Sequence, residues 1–141
     1  MSNVNILIHA VWGTKNNVSF LTGNVLETVT QHIFVNAGSK GICIAGINGY
    51  RNHLHCLISL GPQQTIAQAI QLMKGESSYW INKTGMIRGN FSWADEYYAF
   101  SVSPYKAKSV LEYIRDQQEH HARKSWEEEV AEFLKAYEGK G

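Results

Sequence analysis

Apolar and polar positions alternate over residues 3–13, with Val4, Ile6, Ile8, Ala10 and Trp12 on one face and Asn5, Leu7, His9 and Val11 on the other. A period of two predicts a strand, and the mostly apolar second set predicts a buried one. From Asn24 the period lengthens: Val25, Leu26, Val29, Ile33, Phe34 and Ala37 fall at helical spacing, with Gly38 as a stop. Residues 41–48 and 53–60 read as two strands joined by a turn at Gly49-Tyr50-Arg51-Asn52. Thr65 is placed to cap a second helix whose apolar side is Ile66, Ala69, Ile70, Met73, Trp80 and Ile81. Residues 84–95 read as loop, and residues 97–103 as a fourth strand. Pro104 opens a helix expected to run to about His121, with Ala107, Val110, Leu111 and Ile114 as its stripe. Ser125 and Glu128 have the spacing of a capping box, which opens an acidic helix over residues 126–137.

The order β-α-β-β-α-β followed by two helices predicts an α+β, ferredoxin-like core: a four-stranded antiparallel sheet with two helices on one face. The expected organisation is one domain, with a core over residues 1–103 and an appended helix and acidic tail over residues 104–141. This fold hosts many activities, so function must come from particular side chains.

The chain has 141 residues, of which 44% are hydrophobic, so a disordered chain is excluded. A net charge of +1 argues against binding driven by overall charge, but the charge is uneven. Residues 1–94 carry six basic and two acidic side chains, and residues 95–141 carry seven basic and ten acidic ones. The first part can therefore attract a polyanion that the tail repels. No window reaches the ~20 apolar residues of a bilayer span, and the first residues lack the basic character of a secretory signal. Cys43 and Cys56 make no disulfide framework and are expected to be buried thiols, so a cytoplasmic setting is predicted.

His53-Leu54-His55 is the sharpest local signal. On a strand both imidazoles project to one face, where they can ligate a divalent metal; two solvated histidines fit the same spacing. In the helix after Pro104, Tyr113 and Gln117 lie one turn apart and share a side. Gln117 offers an amide oxygen to a hard metal, and Tyr113 a phenol that needs activation to act as a nucleophile; ordinary amphipathic packing fits them too.

Together these residues resemble the HUH nucleases, and within them the single-tyrosine TnpA-type transposases of the smallest bacterial insertion sequences. The resemblance covers residues 6–130. It rests on the His9–Lys15 strand, Gly49–His55, Lys74-Gly75 with Ser77 and Ser78, Trp93 with Tyr97 and Phe100, Tyr113–Gln117 and Glu119-His120-His121. The chain departs from the family pattern at Arg51, Asn52 and Glu96, where Pro, Asp and Gly are usual.

The resemblance implies that His53, His55 and Gln117 bind Mg2+ or Mn2+, and that Asn52 orients a ligating histidine. Tyr113 is implied as the nucleophile toward single-stranded DNA with hairpin ends, through a 5′-phosphotyrosine link. It further implies a homodimer in which the tyrosine helix of one subunit completes the histidine site of the other. Candidate DNA contacts are Lys15, Arg51, Lys74, Lys83 and Arg88 for phosphates and Trp12 and Trp93 for bases. Trp80 reads as core, and His120 and His121 as residues that can touch metal or DNA. Other readings are a domesticated repeat-processing relative, a non-catalytic ferredoxin-like binding module, or a zinc hydrolase using His53 and His55. The sequence places no Asp or Glu at obvious ligand spacing for the last of these.

Overall fold

A computed structural model describes residues 3–121 and 124–138, without the side chains of His120 and residues 136–138. Strand β1 (Ile6–Gly13) is followed by a short 3-10 turn and helix α1 (Asn24–Ser39). Strands β2 (Cys43–Tyr50) and β3 (His53–Leu60) lead to α2 (Ile66–Thr84) and β4 (Tyr98–Val102). Helices α3 (Ala107–Arg115), α4 (Gln117–His121) and α5 (Trp126–Glu138) complete the described chain. The sheet is antiparallel throughout, in the order β2-β3-β1-β4, so the expected α+β ferredoxin-like core is present.

The alternation in β1 and β3 divides the sheet into two faces. Ala10, Trp12, Leu54, Cys56 and Ile58 are all 0% exposed and pack with Val29, Ile33, Ile70, Met73 and Ile81 of α1 and α2. The opposite face carries Leu57 and Val102, which Ile114 of α3 covers together with Leu7, Val110 and Leu111. α1 and α2 therefore build the main core, while α3 to α5 close the second face.

Local chemistry sets the element ends. Thr65 Oγ1 accepts from the Gln68 amide at 3.2 Å and starts α2, and Gly85 ends it in the left-handed region at φ +68°. The β2–β3 hairpin needs Gly49, because a Cβ there would lie 2.3 Å from the His53 carbonyl oxygen. β3 begins at His53 as the sequence predicts, but β2 runs two residues further, to Tyr50, which leaves only Arg51 and Asn52 between them.

α1 continues through Gly38 to Ser39, and the chain turns after it at Gly41, φ +77°. Cys56 is buried and its thiol pKa is pushed up by burial, as expected, but Cys43 is exposed. Cys43 pairs with Ser59 on edge strand β2, so its side chain lies on the second face near the end of the sheet.

Candidate active site

The second face carries three histidines on adjacent strands. His9 lies on β1, and His53 and His55 lie on β3, where they pair with Gly13 and Val11. His53 and His55 are 0% exposed and His9 is 2% exposed. His9 Nε2 and His55 Nδ1 are hydrogen-bonded at 2.9 Å. The Nδ1–H of His53 donates to Asn52 Oδ1, also at 2.9 Å. Asn52 thus fixes the His53 ring through a neutral amide oxygen, leaving Nε2 directed at the cluster.

The helix expected from Pro104 to about His121 is broken. A 3-10 turn covers Pro104–Lys106, α3 ends at Arg115, and Asp116 leaves the helical region before α4 begins. Asn48 of β2 explains the break, since its Nδ2 donates to the Arg115 carbonyl at 2.8 Å and to Gln118 Oε1 at 3.1 Å. Gln118 Nε2 in turn donates to the Gly49 carbonyl at 3.2 Å. These contacts turn α4 along β2 and place Gln117 over His53. Gln117 Nε2 donates to the Tyr113 carbonyl at 3.3 Å, and its Oε1 lies 3.3 Å from His53 Nε2.

The sequence reasoning missed Glu129. It is 2% exposed and stands among the histidines, with Oε1 2.8 Å from His55 Nε2 and Oε2 3.4 Å from His53 Nε2. It also contacts His121 Nε2 and accepts a hydrogen bond from the Tyr113 hydroxyl. Helix α5 is seated by two aromatic rings on either side of it. Trp126 stacks on His53 with centroids 4.0 Å apart, and Phe133 stacks on His55 at 5.6 Å and on Phe100 at 5.7 Å.

Ser125 caps this helix as predicted, accepting from the Glu128 amide at 3.2 Å. A signal for Glu129 was available. Trp126, Val130 and Phe133 form an apolar stripe, and Glu129 lies within it at the third position after Trp126. The acidic composition of the helix concealed that phase.

Burial dominates the electrostatics. It lowers the pKa of His53, takes His55 down to about 4 and, with help from His55, takes His9 down to about 3. For Glu129 burial acts upward, but His121, His53 and His55 outweigh it and hold the carboxyl well below the usual carboxylate range. Burial and Glu129 raise the Tyr113 phenol. His53, His55 and Glu129 can hold a metal ion, since each offers one ligand atom and these atoms lie within 4.8 Å of one another. The objection that no carboxylate accompanies the His-x-His pair therefore falls.

The residues expected to meet DNA separate into three groups. Lys15, Arg51, Lys83 and Arg88 are exposed. Lys74 is engaged by the protein itself, donating to the carbonyls of Ala94 at 2.6 Å and Asp95 at 3.1 Å. Trp12 and Trp93 are buried against each other with centroids 6.0 Å apart, so neither offers a face to a base. Their alternation with core positions, not base stacking, decides their place. Trp80 packs against the core as expected and stacks on His32 at 3.7 Å. His120 lies outside the described side chains.

A cavity of about 260 Å³ opens beside Tyr113 and is lined by His9, Ser109, Glu129, Glu132 and Phe133. A larger one, about 640 Å³, lies around Tyr50, Arg51, Asn48 and Gln118.

A ferredoxin-like sheet with a His-x-His strand and a tyrosine-bearing helix on one face defines the HUH-type class. Comparison with known proteins agrees. The family described as "Transposase IS200 like" matches residues 2–117. The chain belongs to that family and is an HUH-type single-tyrosine transposase, an enzyme of DNA cleavage and strand transfer. It is 26% identical over 115 residues to the ISDra2 transposase TnpA of Deinococcus radiodurans, covering 77% of this chain and 81% of that one.

Two solved structures share the fold. One is a crystal structure from Deinococcus radiodurans R1 assigned as a transposase, with TM-score 0.67, 20% identity, and coverage of 82% of this chain and 93% of that one. The other is a REP-associated tyrosine transposase bound to a REP hairpin, with TM-score 0.63, 13% identity, and coverage of 86% and 71% respectively.

Proposed function

We propose that this chain is a metal-dependent transposase of single-stranded DNA, which nicks and rejoins hairpin-bearing ends through a 5′-phosphotyrosine intermediate. The observation that carries the reading is the meeting of Tyr113 with the histidine cluster in one chain, through the carboxylate that both touch. His53, His55 and Gln117 present Nε2, Nε2 and Oε1 toward the same region and are the ligands assigned to Mg2+ or Mn2+. A bound divalent ion would supply Lewis-acid polarisation of the scissile phosphate.

Tyr113 is the nucleophile. Its oxygen forms the bond to phosphorus, the phenol loses its proton, and the phosphorus–O3′ bond breaks to leave a protonated 3′-OH. A later 3′-OH attacks the phosphotyrosine and restores the phenol. The diester energy stays in the tyrosyl link, so no nucleotide cofactor is needed. Asn52 holds His53 in place during both steps, and Lys15, Arg51, Lys83 and Arg88 are the exposed cations assigned to phosphates.

The four site residues meet within one chain, so a homodimer is not required to bring Tyr113 to the histidines. No described helix is long and apolar enough to cross a membrane, and the reading places the enzyme in the cytoplasm.

The test uses labelled single-stranded hairpin DNA from the flanks of the gene, with Mg2+ or Mn2+. The expected result is a covalent protein–DNA adduct that Tyr113→Phe abolishes, a loss of at least about 1000-fold. Chelation or His53→Ala prevents it as well. An adduct that survives Tyr113→Phe overturns the nucleophile, and ester hydrolysis with stoichiometric zinc and no adduct favours the hydrolase instead.

A further inference from the structure

The hydrogen bonds behind the cluster decide what its inner atoms carry. His53 Nδ1 faces Asn52 Oδ1 at 2.9 Å and His121 Nδ1 faces the Lys124 carbonyl at 3.0 Å. Both partners can only accept, so each Nδ1 holds a proton and the neutral ring presents a bare Nε2. His55 Nδ1 is likewise occupied, by His9 Nε2 at 2.9 Å. Gln117 uses its NH2 on the Tyr113 carbonyl and turns its oxygen inward. In the neutral rings of His53 and His121 the inward Nε2 therefore presents a lone pair, as Gln117 Oε1 does, and these atoms face a carboxylate that presents only lone pairs.

Among the described residues, His55 Nε2, His121 Nε2 and Glu129 Oε2 are buried without a hydrogen bond of acceptable geometry. Two bare imidazole nitrogens and an amide oxygen crowded against a carboxylate, with the His55 ring beside them, describe the surroundings of a cation. The spacings agree. Ligand bonds of about 2.1 Å put neighbouring donors about 3.0 Å apart in an octahedral site and about 3.4 Å apart in a tetrahedral one. The observed separations are 2.8 Å for His55 Nε2 to Glu129 Oε1, 3.3 Å for His53 Nε2 to Gln117 Oε1, and 3.4 Å for His53 Nε2 to Glu129 Oε2.

We propose that Glu129 and His121 are metal ligands, so that this chain closes a site of three imidazoles and one carboxylate, selective for a transition-metal ion such as Mn2+ over Mg2+. Both residues lie past position 117, where the family model's match ends; His121 belongs to the Glu119-His120-His121 segment of the sequence resemblance, and Glu129 arrives on a separate helix. The inference rests on the metal-dependent reading above and adds two donors to it. Three nitrogen donors favour a borderline transition metal, whereas Mg2+ selects oxygen. A divalent ion also answers the cost of a carboxylate at 2% exposure.

Metal-free full-length protein titrated with Mn2+ in the absence of DNA tests the proposal, with binding read by electron paramagnetic resonance and by the rise in melting temperature. One ion per chain is expected, with Mg2+ at least tenfold weaker. Glu129→Gln and His121→Asn are each expected to weaken Mn2+ at least tenfold and to shrink the melting shift. Glu132→Gln, on the same helix but outside the cluster, is expected to stay within twofold. Circular dichroism of the metal-free variants checks that α5 still folds.

If both variants bind Mn2+ as the unaltered chain does while His53→Gln loses it, the two added ligands are overturned and the transposase reading stands. Equal affinities for Mn2+ and Mg2+ overturn the nitrogen-rich donor set. No uptake of Mn2+ without DNA overturns a site complete within the chain, and adduct formation then judges the transposase reading separately.

Discussion

The two faces of the sheet use the same strands for opposite ends. Toward α1 and α2, β1 and β3 present Ala10, Trp12, Leu54, Cys56 and Ile58, each fully buried among apolar partners. Toward α3 to α5 they present His9, His53 and His55, buried just as fully, but among a carboxylate, an amide and a phenol. Burial on the first face is the source of stability, since apolar area leaves water. Burial on the second face costs free energy for every polar group not matched by a partner. The pleat makes this division possible, because adjacent residues on one strand serve different environments.

The largest effect expected on the first face comes from Trp12→Ala. Loss of that side chain should cost about 3–5 kcal/mol in denaturant unfolding. Activity per folded molecule should persist, because no part of the cluster is removed. The indole Nε1–H has no hydrogen-bond partner among the described residues, which places the true cost toward the lower end. A cost under about 1 kcal/mol would break the comparison, because the first face would then not be where stability resides.

Acid should act on the second face. Burial lowers His9 to about 3 and His55 to about 4 in the folded chain, below the ordinary 6.5, so between those values the unfolded chain binds more protons. Stability of the metal-free protein is therefore full above pH 6.5 and falls as pH drops toward 4. The depressed Glu129 carboxyl acts in the same direction, its contribution being lost as pH falls below 4.5. The drop for His55 alone is on the order of 3 kcal/mol. Thermal melts from pH 8 to pH 4 measure it, and a flat profile would mean that the second face is not buried as a unit.

The smallest effects belong to the rim. Arg51 and Lys15 are exposed beside the β3 entry, and under the proposed reading each would meet DNA through charge. Arg51→Ala or Lys15→Ala should weaken DNA binding by about 1 kcal/mol and lower the salt slope by about 1, with melting unchanged. An unchanged slope would remove that residue from the interface.

Much of this was legible from periodicity. The strand phases of β1 and β3 separate Trp12 from His9, and Leu54 from His53 and His55, without any coordinates. The same phases place Trp12 in the core, so its assignment to DNA ran against its own pattern. Tyr113 and Gln117 were legible from their spacing, although the helix between them breaks at Asp116. That break depends on Asn48, which is 67 residues from its partner Arg115 in sequence. Exposure of Cys43 depends equally on edge position, which strand propensity does not carry. Glu129 is the residue least legible: five acidic residues in its helix read as a solvated face, and only its phase with Trp126 and Phe133 distinguishes it.

α5 also sets a threshold for turnover. Side chains with no exposed surface cannot be touched by a phosphodiester, so under the proposed reading α5 must lift before DNA reaches His53 and His55. If the lifted form makes up about one part in a hundred, the apparent affinity for DNA is about a hundredfold weaker than that of the open site. Trp126, Phe133 and the acidic side chains near them then set the resting rate. Under that reading, the helix that completes the cluster also holds the site closed until a strand competes it away.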